Sequence, residues 1–308
     1  MLFRSGGMTT LVTGGTGSFG YAYVERHHRS ESIRVLSRDE EKQRAMAARF
    51  PGVEFFIGDI RDAETVRRAM RGIDRVFHAA ALKQVPPLEA FPMEAVRTNI
   101  IGTDNVCQAA KDAGARVVLL STDKAVEPVG VMGGSKFLAE AVATSHGFNV
   151  VRYGNVIGSR GSIIPVWREQ VQRGDPLTIT DPGMTRFLIT LDEALDLLEL
   201  AMAADPDGST FVKRSPAATV AQMARCFAPG HPTITIGIRP GEKRREHLVV
   251  PDENAVVTDD HFRIARHGVG TGFAYASDTA PRLDDADLAD LLHGRRPRLV
   301  PDWVEAFG

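Results

Sequence analysis

Residues 9–20 read Thr-Thr-Leu-Val-Thr-Gly-Gly-Thr-Gly-Ser-Phe-Gly, a β-branched run that passes directly into a glycine-rich turn. The glycines permit a tight turn, a close backbone approach to a pyrophosphate and close packing of a following helix on the strand. The first N–H groups of that helix would face the phosphates. The stretch therefore predicts a dinucleotide-binding turn, whose predicted contact residues are Thr13, Gly14, Gly15, Thr16, Gly17, Ser18, Phe19 and Gly20.

The chain around this turn alternates short β-branched runs with segments of helical length. The candidate strands are Thr9–Thr13, Ile33–Ser37, Val53–Ile57, Arg75–Ala79, Arg116–Ser121 and Asn149–Tyr153. Such alternation predicts an α/β fold of Rossmann type, a doubly wound parallel sheet with helices on both faces. Right-handed crossovers place every loop that follows a strand at one edge of the sheet, so we expect the ligand site there.

The pattern becomes irregular after about residue 160. A helix at Ile163–Arg173, a short strand at Leu177–Thr180 and a helix at Leu191–Ala204 are followed by short segments rich in Pro and Gly. This change predicts a Rossmann domain at residues 1–162 and a smaller C-terminal α+β substrate-binding lobe at residues 163–308. In an alternative division, residues 188–214 return to the first sheet and belong to the Rossmann domain.

Composition narrows the function classes. The 308 residues are 43% hydrophobic and 25% charged, which excludes disorder, collagen and coiled coil. A net charge of -2 provides no general field for nucleic acid or an anionic membrane surface. Cys107 and Cys226 are predicted to be reduced core thiols, and no His spacing suggests a metal site. Without an apolar run of 18 residues or a signal-like start, we expect a cytoplasmic protein.

The second predicted strand ends in Ser37-Arg38-Asp39, where an acidic residue ordinarily holds the adenosine ribose. Arg38 suits a 2′-phosphate, which it can bind through two parallel hydrogen bonds, so NADP is favoured over NAD. Asp39 is the alternative, as an acceptor from an unphosphorylated ribose. Further contacts are predicted after the third and fourth strands, at Asp59, Ile60, Ala79, Ala80 and Ala81.

Several motifs in order along the chain carry a family resemblance. They lie at residues 13–20, 37–40, 77–86, 121–125, 152–156, 176–182, 184–187 and 240–243. Together they resemble the extended short-chain dehydrogenase/reductases, and more narrowly the 5-inverting UDP-N-acetylglucosamine 4,6-dehydratases of capsular polysaccharide and flagellin-sugar biosynthesis. The resemblance implies a lyase that converts UDP-N-acetylglucosamine to a UDP-2-acetamido-2,6-dideoxy-4-keto-hexose.

One motif departs from most of the superfamily. Where that superfamily carries Tyr-x-x-x-Lys, this chain reads Met132-Gly-Gly-Ser-Lys136. Residues four apart share a helix face, so Lys136 can still donate to the nicotinamide ribose. Met132 has no titratable proton and is interpreted as a hydrophobic wall of the pocket. The base for the sugar 4-hydroxyl stays open between Thr122 relaying to Lys136 and Asp123 acting directly.

The resemblance assigns roles to the three residues that follow the fifth predicted strand. Lys124 is the base at C5, Asp123 is the acid at the O6 leaving group, and Thr122 bonds to O4. These roles require a raised pKa for Asp123, through burial, and a lowered pKa for Lys124, with help from Lys136.

The resemblance also places residues around the cofactor and the nucleotide. Lys83, Asn99 and Tyr153 join the predicted cofactor site, with Asn99 more suited to bonding backbone groups beneath it. The arginines of the substrate set would pair with the diphosphate, and Glu242 with a ribose hydroxyl. The predicted substrate-binding residues are Lys83, Asn155, Arg160, Arg186, Arg239 and Glu242.

Two other functions fit the same motifs. The first is a UDP-sugar 4-epimerase or a dehydratase of other regiochemistry, such as a 5,6-dehydratase. The second is a non-catalytic NADP-binding sensor, against which the retained Thr122, Asp123, Lys124 and Lys136 argue. The expected partners are a UDP-sugar and further copies of the chain in a dimer or larger homo-oligomer.

Overall fold

A computed structural model of the chain describes residues 7–159, 162–258 and 260–295. The first six strands lie within one residue of their predicted bounds at each end, because nearly continuous apolar runs bounded by turns leave little choice of register. They are β1 (Thr9–Thr13), β2 (Ser32–Ser37), β3 (Glu54–Ile57), β4 (Arg75–His78), β5 (Arg116–Thr122) and β6 (Asn149–Tyr153).

Helical segments connect these strands. The α-helices are α1 (Ser18–His27), α2 (Glu40–Arg49), α3 (Ala63–Ala69), α4 (Val85–Ala90), α5 (Pro92–Ala95), α6 (Gly102–Ala113) and α7 (Val131–Ser145). A π-helical turn at Val96–Ile101 joins α5 to α6, and a 3-10 turn at Asp123–Ala125 follows β5 directly. In the described part of the chain, no helix is long and apolar enough to cross a membrane.

The second half of the chain has shorter strands. Its helices are α8 (Ile163–Arg173), α9 (Leu191–Ala203), α10 (Val220–Phe227) and α11 (Asp285–Leu292). Its strands are β7 (Asn155–Val156), β8 (Leu177–Ile179), β9 (Thr185–Ile189), β10 (Thr210–Lys213), β11 (Ala217–Thr219), β12 (Thr233–Thr235), β13 (His247–Val249), β14 (Asn254–Val257), β15 (His261–Ala265) and β16 (Tyr275–Ala276).

Nine strands of the described residues form the main sheet, in the order β14-β15-β10-β6-β5-β4-β1-β2-β3. In this sheet order, all neighbouring strands between β10 and β3 run parallel. The strands β14 and β15 add an antiparallel edge next to β10. The order β3-β2-β1-β4-β5-β6 confirms the predicted Rossmann-type fold. The chain adds β2 and β3 on one side of β1 and then continues with β4 on its other side, so a crevice opens at the carboxyl ends of β1 and β4.

Strands from both halves of the chain share this sheet. The strand β10 pairs with β6, so residues 210–213 return to the first sheet, as the sequence allowed. The hairpin of β14 and β15 extends the sheet further, which the sequence did not indicate. A domain boundary at residue 162 therefore stays a proposal.

Each strand sends alternate side chains to opposite faces of the sheet. Leu11 and Val117 pack beneath α3, α6 and α7, whereas their neighbours Val12 and Val118 pack beneath α1, α2 and α9. A further apolar cluster around the buried Trp167 holds the small lobe together. Both faces of the sheet are thus covered, and only its carboxyl edge is left for a ligand.

A buried ion network joins the two halves of the chain. Arg152 on β6 donates to both carboxylate oxygens of Glu140 on α7, at 2.7 and 3.2 Å. It also donates to Glu253 at 2.8 Å and to the carbonyl of Leu248 at 2.9 Å. Removing one partner would leave a buried charge uncompensated, so the network fixes β6, α7 and the segment before β14 together.

A chain of hydrogen bonds runs beneath the carboxyl edge through the buried His78. The Thr103 hydroxyl donates to the Asn99 carbonyl at 2.6 Å, so His78 Nε2 donates to Thr103 at 3.0 Å. His78 Nδ1 then accepts from the Thr13 hydroxyl at 2.6 Å. This arrangement requires a neutral imidazole, and burial lowers the pKa of His78 to about 3.

His78→Gln should reduce the acid sensitivity of the protein. Below its ordinary pKa of 6.5 the unfolded chain protonates this His and the folded chain does not, so the contribution is present above pH 6.5 and is lost as the pH falls toward 3. The wild type should lose about 2 kcal/mol more free energy of unfolding than the variant between pH 7.5 and 5, measured by urea titration. The exposed His267→Gln should behave like the wild type. Equal losses in wild type and His78→Gln would contradict a neutral His78.

Candidate functional site

A cleft of about 760 Å³ lies at the carboxyl ends of the parallel strands. Many of the predicted site residues line it. These are Gly14, Thr16, Gly17, Ser18, Phe19, Gly20, Ser37, Arg38, Asp59, Ile60, Ala79, Ala80, Ala81, Lys83, Thr122, Lys124, Met132, Lys136, Tyr153 and Asn155.

The turn between β1 and α1 forms one wall of this cleft. Gly14 has a φ of 66°, and a Cβ on it would lie 2.8 Å from the backbone of Ala80. A Cβ on Gly20 would lie 2.3 Å from the backbone of Gly15. Among the described residues no side chain caps α1 at Gly17. The turn therefore offers a close backbone and a helix N-terminus to a phosphate, and it fits a bound dinucleotide.

Cationic side chains gather where β2 ends. Arg38 is about half exposed and lies 3.4 Å from Asp59. Lys42, in the first turn of α2, also lines the cleft and pairs with Asp39. Partial burial acts to raise the pKa of Asp59, but hydrogen bonds from Arg61 lower it overall. Arg38 was predicted from the sequence and Lys42 was not, because Arg38 directly follows the predicted strand and Lys42 lies in the next helix.

Lys136 and Met132 lie on the face of α7 that borders the cleft. Lys136 is buried, and its Nζ donates to the carbonyl of Leu120 at 2.6 Å. Burial lowers the pKa of Lys136 to about 8, against the opposing effect of Glu140. Met132 is 5% exposed and packs against Leu88 and Ala95. The Met side chain thus provides an apolar wall, and Lys136 provides the titratable group.

Thr122, Asp123 and Lys124 form one hydrogen-bonded group at the end of β5. Asp123 Oδ1 accepts from the Thr122 hydroxyl and from Lys124 Nζ, each at 2.9 Å. Asp123 is fully buried, and its Oδ2 has no hydrogen-bond partner among the described residues. Lys124 Nζ also donates to Asn155 Oδ1 at 3.4 Å. The Thr122 hydroxyl is therefore directed at Asp123 and not at Lys136.

The electrostatics agree with one expectation and correct another. Burial raises the pKa of Asp123, as expected, although Lys124 opposes the shift. The expected lowering of the pKa of Lys124 is wrong for this structure. Burial acts in that direction, but the carboxylates of Asp123 and Glu246 outweigh it and raise the pKa. Lys124 is therefore an ammonium ion in the free protein.

Glu246, like Lys42, is a residue at the site that the sequence did not reveal. Its carboxylate is buried, lies 3.5 Å from Lys124 Nζ and pairs with Lys243 at 2.8 Å. The residue follows the motif at 240–243 by three positions, but nothing in the spacing shows that it reaches β5. Only the fold brings this segment to the Asp123–Lys124 pair.

Several predicted site residues do not line the cleft. Asn99 lies one layer below, where its side chain bonds to both backbone groups of Leu82 and to Ser135. Asp123 is reached only through Thr122 and Lys124. The others that do not line it are Thr13, Gly15, Arg186, Arg239 and Glu242. The predicted Arg160 lies outside the described residues.

The three distant substrate candidates have other contacts. Arg239 donates to Glu242 through its Nε at 3.0 Å, so each occupies the other. Arg186 donates to the carbonyl of Thr185 and lies close enough to Lys124 and Glu246 to act against a high pKa in both.

Among the described residues, no group of three or more His, Cys, Asp or Glu side chains is placed to hold a metal ion.

Comparisons with known proteins identify the family to which the chain is similar. The family described as polysaccharide biosynthesis protein matches residues 10–267. A UDP-glucose 4-epimerase of Rickettsia canadensis (strain McKiel) is 45% identical over 92% of this chain and 95% of the relative.

Two solved structures share the fold. Pen from Bacillus thuringiensis is 33% identical, with a TM-score of 0.88 over 95% of this chain and 98% of that chain. The dTDP-glucose 4,6-dehydratase DesIV from Streptomyces venezuelae, with NAD and TYD bound, is 24% identical, with a TM-score of 0.69 over 77% of this chain and 86% of that chain. The chain belongs to the polysaccharide biosynthesis protein family, among the nucleotide-sugar epimerases and dehydratases of the extended short-chain dehydrogenase/reductase fold.

Proposed function

We propose that the protein is an NADP-dependent nucleotide-sugar 4,6-dehydratase that acts on UDP-N-acetylglucosamine and inverts C5. The observation that carries the proposal is the Asp123–Lys124 pair, joined at 2.9 Å, at the edge of the cleft that Lys136 also lines. Its carboxylate is fully buried, and a buried charge is costly to maintain and is commonly found where chemistry needs it.

The pair matches the demands of elimination. Once C4 is a ketone, the adjacent C5–H is acidic, and loss of water needs a base at C5 and an acid at O6. An epimerase needs only a group that exchanges a proton with the 4-hydroxyl. Two linked groups with different ordinary pKa values therefore favour the dehydratase.

The cofactor proposal depends on the cleft and its cationic edge. A nicotinamide bound there would take a hydride from C4 and return it to C6. Gly14 and α1 would hold the pyrophosphate, and Lys136 would bond to the ribose next to the nicotinamide. Arg38 and Lys42 would hold a 2′-phosphate, which favours NADP over the NAD present in DesIV.

The hydroxyl chain offers a route for the 4-hydroxyl proton in the absence of Tyr. Thr122 donates to Asp123, so a proton accepted at the Thr122 hydroxyl can pass to the carboxylate. Burial raises the pKa of Asp123, which suits a group that must keep this proton until O6 departs. Asp123 would thus act through the Thr122 hydroxyl, first as base and then as acid.

The same transfer would prepare Lys124. Its pKa is raised by two carboxylates, Asp123 and Glu246, and protonation of Asp123 removes one of them. Lys124 can then lose its proton more readily and accept one from C5. Asn155, 3.4 Å from Lys124 Nζ, would help to orient the amine toward the sugar.

A UDP-glucose 4-epimerase is the second candidate. The observation in its favour is the 45% identity to the Rickettsia canadensis protein of that name. A nicotinamide bound in the same cleft could take the hydride from C4 and return it to either face of the resulting ketone. Such an enzyme would leave O6 in place, and it would make no use of a proton stored on Asp123.

We also propose that UDP binds against the C-terminal lobe, residues 163–308, with Arg186 near the diphosphate. Its guanidinium already influences Lys124 and Glu246 from β9. A homo-oligomer and a cytoplasmic location remain part of this proposal.

Arg38→Ala should weaken NADP binding by about 1.5 to 3 kcal/mol and leave NAD binding nearly unchanged, because only the 2′-phosphate loses charge-assisted hydrogen bonds. Titration calorimetry with both cofactors measures the difference. Arg44→Ala, an exposed change on the same helix α2, is the matched control. Equal weakening of both cofactors by Arg38→Ala would remove the assignment of Arg38.

Asp123→Asn should lower turnover by at least about a hundredfold, because an amide cannot store and return the proton. NADP binding and thermal stability should stay close to those of the wild type. Product formation from UDP-N-acetylglucosamine, followed by mass spectrometry as loss of one water, is the measurement. The surface change Asp112→Asn controls for loss of charge, and wild-type turnover in Asp123→Asn would return the pair to a structural role.

Deuterium at C4 of UDP-N-acetylglucosamine should appear in the C6 methyl group of the product. In heavy water, a second deuterium should enter at C5, because that proton exchanges at Lys124 or a group acting with it. Proton NMR of one reaction with each label distinguishes the candidates. Label retained at C4, with O6 present and no methyl signal, would establish the epimerase and refute the dehydratase.

A further inference from the structure

Glu246 is held rigidly at the edge of the acid-base site. It is 1% exposed and immediately precedes β13. Its backbone N–H donates to the Ser277 hydroxyl at 2.9 Å, and its carbonyl accepts from the Ser277 N–H at 2.8 Å. The Ser277 hydroxyl lies 2.7 Å from the hydroxyl of Thr185 on β9. The main chain of Glu246 is therefore fixed by the lobe.

The Glu246 carboxylate lies between two lysines. Its Oε1 is 3.5 Å from Lys124 Nζ, and its Oε2 is 2.8 Å from Lys243 Nζ. Lys243 Nζ also donates to the carbonyl of Val126 at 2.8 Å. Lys243 thus links the carboxylate to the loop after β5. It pairs with Oε2, whereas Oε1 faces Lys124.

A second contact holds the same loop. His247 Nδ1 lies 2.8 Å from Glu127 Oε2. Glu127 has a φ of 44°, the only positive φ of a non-glycine residue in the described ranges. Such a backbone persists only where its surroundings enforce it, and strain of this kind often accompanies a functional site. The segment from Lys243 to His247 therefore clamps the loop that carries Lys124.

The charges around Lys124 come from three parts of the chain. Asp123 precedes it in the same turn, Glu246 approaches from the segment before β13, and Arg186 approaches from β9. The two carboxylates favour the ammonium form, whereas Arg186 and burial oppose it. Burial acts to raise the pKa of Glu246, but Lys124 and Lys243 lower it, so Glu246 remains a carboxylate.

We propose that Glu246 is a positioning residue for Lys124: its buried carboxylate, anchored by Lys243, fixes the ammonium group beside Asp123 and sets the pH at which Lys124 loses its proton. The proposal rests on the proposed function only for the reaction that Lys124 serves. Glu246 does not line the cleft, so it acts through Lys124 and not on the sugar.

This role gives the two carboxylates different tasks. Asp123 gains a proton during C4 oxidation in the proposed reaction, and its effect on Lys124 then disappears. The charge of Glu246 persists through the cycle because Lys243 neutralises it in part and holds it in place. Glu246 would keep Lys124 from becoming a free amine before Asp123 is protonated, and so would order the two proton transfers.

The test uses the full chain, with the apparent pKa of Lys124 as its readout. Lys124 borders the cleft and its side chain is 26% exposed, so acetic anhydride can reach it. Competitive labelling from pH 6 to 11, followed by peptide mass spectrometry, reports the fraction of free amine without any sugar chemistry. Glu246→Gln should lower the apparent pKa and speed labelling at a fixed lower pH by about tenfold.

The partner variant gives the opposite sign. In Lys243→Gln the carboxylate of Glu246 is no longer neutralised in part, so it raises the pKa of Lys124 further. Labelling of Lys124 should therefore slow by about threefold. A purely structural loss would move both variants in the same direction. Asp252→Asn, which removes an exposed carboxylate from the same half of the chain, is the matched control and should label like the wild type.

Turnover of UDP-N-acetylglucosamine separates this inference from the proposed function. If turnover occurs, the limb of the pH profile that reports Lys124 should move to lower pH in Glu246→Gln, by the shift found in labelling. Shifted labelling in a protein that dehydrates no sugar would support the role of Glu246 and reject the dehydratase.

Unchanged labelling of Lys124 in both Glu246→Gln and Lys243→Gln would overturn the proposal. If Glu246→Gln does not fold, the double variant Glu246→Gln/Lys243→Gln, which keeps the net charge, replaces it. Faster labelling of Lys124 in that variant supports the proposal, and labelling equal to that of the wild type overturns it.

Discussion

Burying charge is the constraint that organises this molecule, because an ion removed from water must find a partner within the protein. Two networks satisfy it. Asp123, Lys124, Glu246 and Lys243 form the first, and the second centres on Arg152. Each network takes one partner from the parallel sheet or its helices and another from residues 243–253. That segment is therefore attached to the carboxyl end of β5, and to β6 and α7, by electrostatics as well as by apolar packing.

The face of α7 that borders the cleft carries Met132 where most of the superfamily has Tyr. Met132 fills the place with an apolar side chain and packs on α4 and α5. The Thr122 hydroxyl donates a hydrogen bond to Asp123, so the proposed proton route leads to this carboxylate and not to Lys136. Lys136 keeps its bond to the Leu120 carbonyl, which leaves it near the expected ribose with a pKa of about 8.

The two proposed reactions share an oxidation at C4 and differ in the fate of the resulting ketone. The difference depends on whether a stored proton can reach O6 before the hydride returns. In this chain the storage group would be Asp123, and the group that opens the reaction at C5 would be Lys124. The surroundings of these two side chains, more than the dinucleotide turn, would then decide between the two outcomes.

The sequence determined the Rossmann-type sheet, the dinucleotide turn and the position of Thr122, Asp123 and Lys124 at the end of β5, because these features depend on local periodicity and on residues adjacent in the chain. Tertiary structure decided the rest. It added the β14–β15 edge to the sheet, placed Asn99 beneath the cleft and paired Arg239 with Glu242. It also reversed the expected shift in the pKa of Lys124, since the pKa of a half-buried amine depends on charges that the fold brings near, and Glu246 comes from a distant part of the chain.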